Sequence, residues 1–263
     1  MAKTVAVYSM KGGVGKTTLA VNFAYCSAVN YSLHTLLWDI DAQGAASFLC
    51  AQERTNAEAK RVFSREIKPL ALVEPTKWPN FDLLAADLSL RHLDRMLADT
   101  DKPKRLRKLI QLLSPDYDRI ILDCPPGLGE VSDQLFRAAD LIVVPVPPTP
   151  LALRSLEQVL DHLERHHDRR PPLLPVITMV DRRKKLHREF VAEHPDWPLV
   201  PHASAVERMA VERSPVLAYE RSSPASQAVS DVWVGIEQTL EGIQEPSGKP
   251  SVRKIPRVPK AGR

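Results

Sequence analysis

The sequence is poor in the features that mark secreted, membrane-spanning and metal-cluster proteins. It has three cysteines, Cys26, Cys50 and Cys124. An odd number without paired spacing argues against disulfides and iron–sulfur or cysteine-ligated metal sites, and suits a reducing cytoplasm. No apolar run approaches the ~18–20 residues that cross a bilayer. Met1-Ala2-Lys3 leads straight into a strand pattern, so neither a signal peptide nor a helix-turn-helix extension ahead of Lys3 is expected. Internal repeats are lacking. Acids are lacking from residues 246–263, which carry Lys249, Arg253, Lys254, Arg257, Lys260 and Arg263. That stretch contributes +6 to a chain whose net charge is +4, leaving −2 on residues 1–245. The basic character is therefore a property of the tail, which points to an acidic partner, nucleic acid ahead of membrane.

What is present reads as one α/β domain over residues 1–245, followed by a Pro-, Gly- and basic-rich tail expected to be disordered. Short apolar runs at residues 3–9, 35–38, 81–86, 119–123, 141–145 and 173–180 predict strands. Helices are predicted at about 16–31, 88–98, 103–113, 151–167 and 225–243, with mixed helix and loop over 52–68. Thr149 is placed to cap the 151–167 helix, with Pro150 in its first turn. Nearly continuous apolar strands alternating with helices imply a three-layer α/β fold, a mostly parallel twisted sheet with helices on both faces.

The most informative stretch is Lys11-Gly12-Gly13-Val14-Gly15-Lys16-Thr17-Thr18. It follows a buried strand and opens a helix. Glycines there let backbone N–H groups approach phosphate oxygens, and the helix N-terminus adds its positive dipole end. Lys16 is placed to reach the β/γ-phosphates and Thr17 to coordinate Mg²⁺. The ordinary P-loop pattern has glycine where this chain has Met10. In exchange it has a second lysine, Lys11, which needs a phosphate of its own to be tolerated beside a triphosphate.

Three acids end strands at the edge of the sheet where open α/β folds bind ligands. Asp39 and Asp41 follow one strand, with Asp41 assigned to orient an attacking water and Asp39 to lie nearer the metal. A helix-capping role is the plainer alternative for both. Asp123 follows Ile120-Ile121-Leu122 and precedes Cys124-Pro125-Pro126, where an acid can hold Mg²⁺ through water. A turn acid is the alternative there, and Cys124 reads as buried and inert.

The octet resembles the deviant Walker A motif of the ParA/MinD family of P-loop ATPases. Asp39-Ile40-Asp41-Ala42-Gln43-Gly44 resembles that family's Asp-x-Asp-Pro-Gln-Gly segment, with Ala42 in place of proline. Asp123-Cys124-Pro125-Pro126 resembles its Asp-Cys-Pro-Pro, and Ser214–Tyr219 a segment shared among ParA proteins. The resemblance implies a P-loop NTPase fold with ATP and Mg²⁺ as cofactors and weak, partner-stimulated hydrolysis of ATP to ADP and phosphate. It implies a homodimer sandwiching two nucleotides, with Lys11 reaching the partner's ATP. It also implies adenine contacts near Met179, Asp181 and Pro201.

The same resemblance implies nonspecific double-stranded DNA binding in the ATP state, a ParB-like or cargo-adaptor partner, and a cytoplasmic, nucleoid-associated location. The cargo would be a plasmid, a chromosome or a protein assembly such as a carboxysome. The family's Pro-Arg-Asn-Val-Arg stretch falls on Pro201-His202-Ala203-Ser204-Ala205, and both arginines are missing. DNA contacts are therefore assigned to Arg182, Arg183, Lys184, Lys185 and Arg188, to Arg208 and Arg213, and to the tail; a solvated charged face is the alternative. A MinD-like membrane regulator is the first rival, but the tail has prolines and only small aliphatic residues where an amphipathic anchor needs bulky ones. An ATP-dependent ligase or metal-cluster enzyme is the second, and lacks a visible substrate domain or paired cysteines. An adaptor that binds ATP without hydrolysis is disfavoured by Asp41 and Asp123.

Overall fold

The computed structural model describes residues 1–52, 59–98, 104–168 and 170–242. The basic tail, 246–263, lies outside the described residues. The centre is an eight-stranded sheet in the order β3-β4-β2-β5-β1-β6-β7-β8. Its strands are β1 (Lys3–Val7), β2 (Thr35–Asp39), β3 (Val73–Pro75), β4 (Phe81–Leu84), β5 (Arg119–Asp123), β6 (Leu141–Val146), β7 (Leu173–Val180) and β8 (Leu199–Pro201). Every pairing is parallel except β3 with β4.

Period-two alternation sends each central strand into two cores. Ala6, Leu36, Trp38, Ile120, Leu122, Ile142 and Val144 face one layer. Val5, Val7, Leu37, Ile121, Leu141 and Val143 face the other. Both faces are apolar because both are covered, as a parallel sheet requires. On the first face lie α3 (Lys60–Ser64), α4 (Leu93–Leu97), α5 (Arg105–Leu113), α6 (Glu130–Ala138), α7 (Pro150–His166) and Phe190 of α8 (Lys185–Glu193). On the second lie α1 (Lys16–Tyr25), α2 (Ala45–Cys50), α10 (Met209–Glu212), α11 (Val216–Tyr219) and α12 (Pro224–Gly242), with α9 (Ser204–Glu207) beside them.

The helix expected at 16–31 is α-helical only to Tyr25. Cys26–Asn30 widens into a π turn, closed by the Tyr31 N–H donating to the Cys26 carbonyl at 3.2 Å. The 88–98 helix is split: a 3₁₀ turn, Leu88–His92, is capped by Asp87 and followed by α4. Strands β3 and β8 and helices α2, α6, α8, α9, α10 and α11 lie where the sequence pattern predicts no element. The edge strand β3 ends on Pro75, tolerable where a ladder N–H is not needed. As expected, Thr149 caps α7, accepting from the Ala152 N–H at 3.2 Å, with Pro150 in the first turn.

Candidate nucleotide site

Strand β5 lies between β1 and β2, in register, so Val7, Asp123 and Asp39 sit side by side at the C-terminal edge. The chain leaves β1 through Tyr8 and Ser9 into the glycine-rich loop. Gly13 and Gly15 have φ of 71° and 97°, a region that side-chain-bearing residues rarely adopt. Gly15 caps α1, and its carbonyl accepts the helix's first hydrogen bond, from Leu19, at 3.0 Å. Met10 has no positive φ, so the glycine of the ordinary P-loop is not needed there; its carbonyl accepts from the Gly127 N–H at 3.2 Å. Tyr8 reinforces that contact, its hydroxyl donating to the Gly127 carbonyl at 2.8 Å. The loop after β5 is thereby tied to the loop after β1.

Lys16 is buried, and its Nζ donates to the Lys11 carbonyl at 3.1 Å. The Lys11 side chain is half-buried and makes no ion pair among the described residues. Gly12 and Gly13 are exposed, while Thr17 and Thr18 are half-buried on the first turn of α1.

The two strand-end acids differ in how they are satisfied. Asp39 is wholly buried, yet it accepts from the Ser47 N–H and hydroxyl at 2.9 and 2.8 Å and from the Asp41 N–H at 3.1 Å. Burial pushes its carboxyl up to about 6 despite those donors. Asp123 is equally buried, and neither carboxylate oxygen has a hydrogen-bond partner among the described residues. Burial, then the Asp39 charge, raise its carboxyl well above the ordinary range; the Thr17 hydroxyl and Lys16 work the other way without reaching hydrogen-bonding geometry. A buried, unpartnered pair of carboxylate oxygens beside a P-loop threonine is a donor set for a hard, oxygen-seeking cation.

Asp41 is half-exposed, in the turn beyond β2 rather than on the strand. Its Oδ1 accepts from the Gln43 N–H at 2.9 Å and its carbonyl from Gly44 at 2.8 Å. Strand alternation therefore does not carry through to Asp41; the turn positions it.

Ser47 went unnoticed in the sequence. Besides holding Asp39, its hydroxyl accepts from the Ala86 N–H at 2.8 Å, so one oxygen joins the ends of β2 and β4 to α2. Ser47→Ala strands a buried N–H and removes a carboxylate donor. The expected cost is about 2 kcal/mol, a melting point lower by about 6 °C. Thermal denaturation checks this, and a change under about 1 °C would mean that water replaces the hydroxyl.

The residues expected on the adenine side lie at the C-terminal ends of β7 and β8. Thr178 donates from its hydroxyl to the Val14 carbonyl at 2.9 Å, bracing the phosphate loop against β7. Met179 has φ of 57° and its side chain borders Gly15. Asp181 is paired with Arg183 at 2.9 Å, which holds its carboxyl far below the usual range. Pro201 ends β8, in register with Val180.

The basic residues are not equivalent. Arg208 is shared by Glu212 and Glu220 at 3.0 and 3.2 Å. Arg213 donates to the Phe48 and Ala51 carbonyls at 3.0 and 3.1 Å, a fastening between segments. Arg183 is held by Asp181, and Lys185 lies 3.5 Å from Glu189. Arg188 donates to the carbonyls of Arg182 and Arg183, closing the turn after β7. Among the described residues, Arg182, Lys184 and Arg188 have no carboxylate partner.

Residues 2–175 match the family described as an AAA domain. The sporulation initiation inhibitor protein Soj of Bacillus subtilis is 31% identical over 200 residues, 73% of this chain and 79% of Soj. This chain belongs to the ParA/MinD family of P-loop ATPases. Two solved structures share the fold of this ParA/MinD-family chain. Cyanothece McdA in complex with ATP superposes with a TM-score of 0.77 at 21% identity, over 94% of this chain and 99% of McdA. Pyrococcus horikoshii MinD with Mg-ADP superposes with a TM-score of 0.75 at 20% identity, over 94% of this chain and 100% of MinD. Among the described residues of this family member, no helix is long and apolar enough to cross a membrane.

Proposed function

We propose that this chain is an ATP-driven positioning switch. It binds ATP and Mg²⁺, forms a homodimer around two nucleotides, hydrolyses them slowly, and binds DNA nonspecifically in the ATP-bound dimer. A ParB-like or adaptor partner stimulates hydrolysis and links the switch to a cargo partitioned over the nucleoid. The observation that carries the reading is Lys11: a second lysine at the mouth of a phosphate loop whose own lysine is already inside, without a carboxylate to neutralise it among the described residues. The relatedness to Soj and the fold shared with ATP-bound McdA and Mg-ADP-bound MinD support it.

The residues fit the cofactors. Thr17 and Asp123 would hold Mg²⁺, Asp123 because its oxygens lack a partner among the described residues, with Asp39 beside it on the neighbouring strand. The ion, when bound, offsets charge on the phosphates. Gly12 to Thr18 offer backbone N–H groups and Lys16 to the phosphates, Asp41 orients water from its turn, and Lys11 adds positive charge across the dimer. The arrangement works by positioning and electrostatics.

The DNA surface is the turn after β7 with the start of α8. One copy places only Arg182, Lys184 and Arg188 there free of carboxylates, so binding depends on two copies acting together. Mobility shift of random-sequence duplex with ATP, ADP or no nucleotide, at two salt concentrations, tests this. The expected shift is seen with ATP alone and weakens at least 10-fold when salt is raised from about 50 to 200 mM. No shift in any state would remove the DNA tether.

A further inference from the structure

A second cluster of ligand-type side chains lies outside the nucleotide site. Asp133 projects from α6, His162 from the last turns of α7, and His167 follows α7. The Asp133 Oδ1 is approached by His162 Nε2 at 2.6 Å and by His167 Nε2 at 3.1 Å. One donor atom from each of the three falls within 4.8 Å of the others. The His167 side chain is 2% exposed, while His162 and Asp133 are 17% and 22% exposed, so the cluster is closed on one side and open on the other. The closed side is Phe136, whose ring lies 5.6 Å from His167 and 6.2 Å from His162.

We propose that Asp133, His162 and His167 bind a divalent first-row transition cation, Zn²⁺ foremost, distinct from the Mg²⁺ that accompanies nucleotide. Two imidazole nitrogens with one carboxylate oxygen is a donor set that zinc and its neighbours take and magnesium, which seeks oxygen, does not. Zinc bonds of about 2.0–2.1 Å in tetrahedral geometry hold ligand atoms about 3.3 Å apart. The Nε2–Oδ1 separations here, 2.6 and 3.1 Å, are shorter than that, and side-chain rotation supplies the opening. Both histidines present the same ring nitrogen to the same oxygen, so one ion can meet all three. The exposed side leaves a fourth position for water. Burial works against ionised Asp133, but the hydrogen bonds from His162 and His167 outweigh it and keep the carboxyl below its ordinary range. The plainer alternative is a hydrogen-bonded triad that pins α7 to α6.

The site has a physical route to the nucleotide loop. Phe136 meets Tyr8 edge-to-face at 5.0 Å, and Tyr8 holds the Gly127 carbonyl in the loop after Asp123. Binding that stiffens α6 against α7 therefore acts two contacts from that loop.

The test uses the full chain without a histidine tag, stripped with chelator, in buffer containing Mg²⁺ and no nucleotide. Calorimetric titration with ZnCl₂ is expected to show one equivalent bound, and the melting point to rise by about 5 °C at saturating zinc. Co²⁺ in place of zinc is expected to give visible d–d absorption. Asp133→Asn and His162→Gln are each expected to weaken zinc binding at least ~100-fold, since even outer-shell losses cost ~10–100-fold. His167→Gln is the companion variant, and circular dichroism checks that each is folded. Absence of stoichiometric uptake by the native chain, or uptake unchanged in folded variants, would overturn the site and leave the hydrogen-bonded triad. The native-chain titration decides the matter even where a variant does not fold.

Discussion

Asp123→Asn is expected to raise the melting temperature of the nucleotide-free protein by about 5 °C, while lowering Mg²⁺-dependent ATP hydrolysis at least ~100-fold. Both effects come from one feature. The Asp123 carboxylate is fully buried, has no hydrogen-bond partner among the described residues and faces Asp39 across adjacent strands. A buried charge without a partner destabilises the fold, and its neutral isostere relieves that by about 2 kcal/mol. Asparagine also sets a donor rather than a second acceptor beside Asp39. The pH dependence carries the same sign. Burial raises both carboxyls, to about 6 for Asp39 and well above the ordinary value for Asp123. A carboxyl raised in the folded state binds its proton more tightly there than in the unfolded chain. Stability from this pair is therefore fully present below about pH 4, the unfolded-chain value, and is lost as pH rises through the folded-state values. Melts of the native chain and Asp123→Asn at pH 5 and pH 8 should show the gain widening at the higher pH. A variant that melts lower at both values would contradict the account, as would one that retains Mg²⁺-dependent turnover.

Lys11→Ala is expected to keep ATP affinity within about threefold, yet to abolish ATP-dependent dimers and to reduce turnover by about 10³-fold, the scale of a cation supplied in trans. The structure explains why binding survives. Lys16 is anchored by the main-chain carbonyl of Lys11, which alanine retains, and Gly13 and Gly15 set the loop without help from that side chain. What alanine removes is a half-buried ammonium without an ion pair among the described residues. Sedimentation with ATP, alongside nucleotide titration, separates the two roles. Dimers of normal stability would assign Lys11 to its own nucleotide rather than the partner's, and lost ATP binding would make it a second phosphate lysine of the ordinary kind.

The site was legible where chemistry is local. The octet Lys11–Thr18 needs its glycines at Gly13 and Gly15 for backbone reasons that a sequence carries by itself, and a strand-end acid after Ile120-Ile121-Leu122 marks the sheet edge. Ser47 and Thr178 were not legible. Each acts on a partner distant in sequence, Ala86 and Val14 respectively, and a single serine or threonine in an apolar stretch has no pattern. The basic residues show the same limit. Arg182, Arg183, Lys184, Lys185, Arg188, Arg208 and Arg213 are alike as letters, but Arg208 is spent on Glu212 and Glu220, and Arg213 on the carbonyls of Phe48 and Ala51. The triad of Asp133, His162 and His167 was invisible for the same reason, its ends lying 34 positions apart on α6 and just beyond α7.

The sequence by itself determined the layered α/β architecture, because apolar strands buried on both faces have few other ways to be covered. It also determined the phosphate loop and the family, because tight turns and phosphate cradles are written in consecutive residues. Only the tertiary structure decided which acid is satisfied and which is orphaned. Asp39 and Asp123 end equivalent strands, and the difference between them is Ser47 on α2, which reaches one and not the other. Such differences are set by distances between segments that the chain brings together only when it folds.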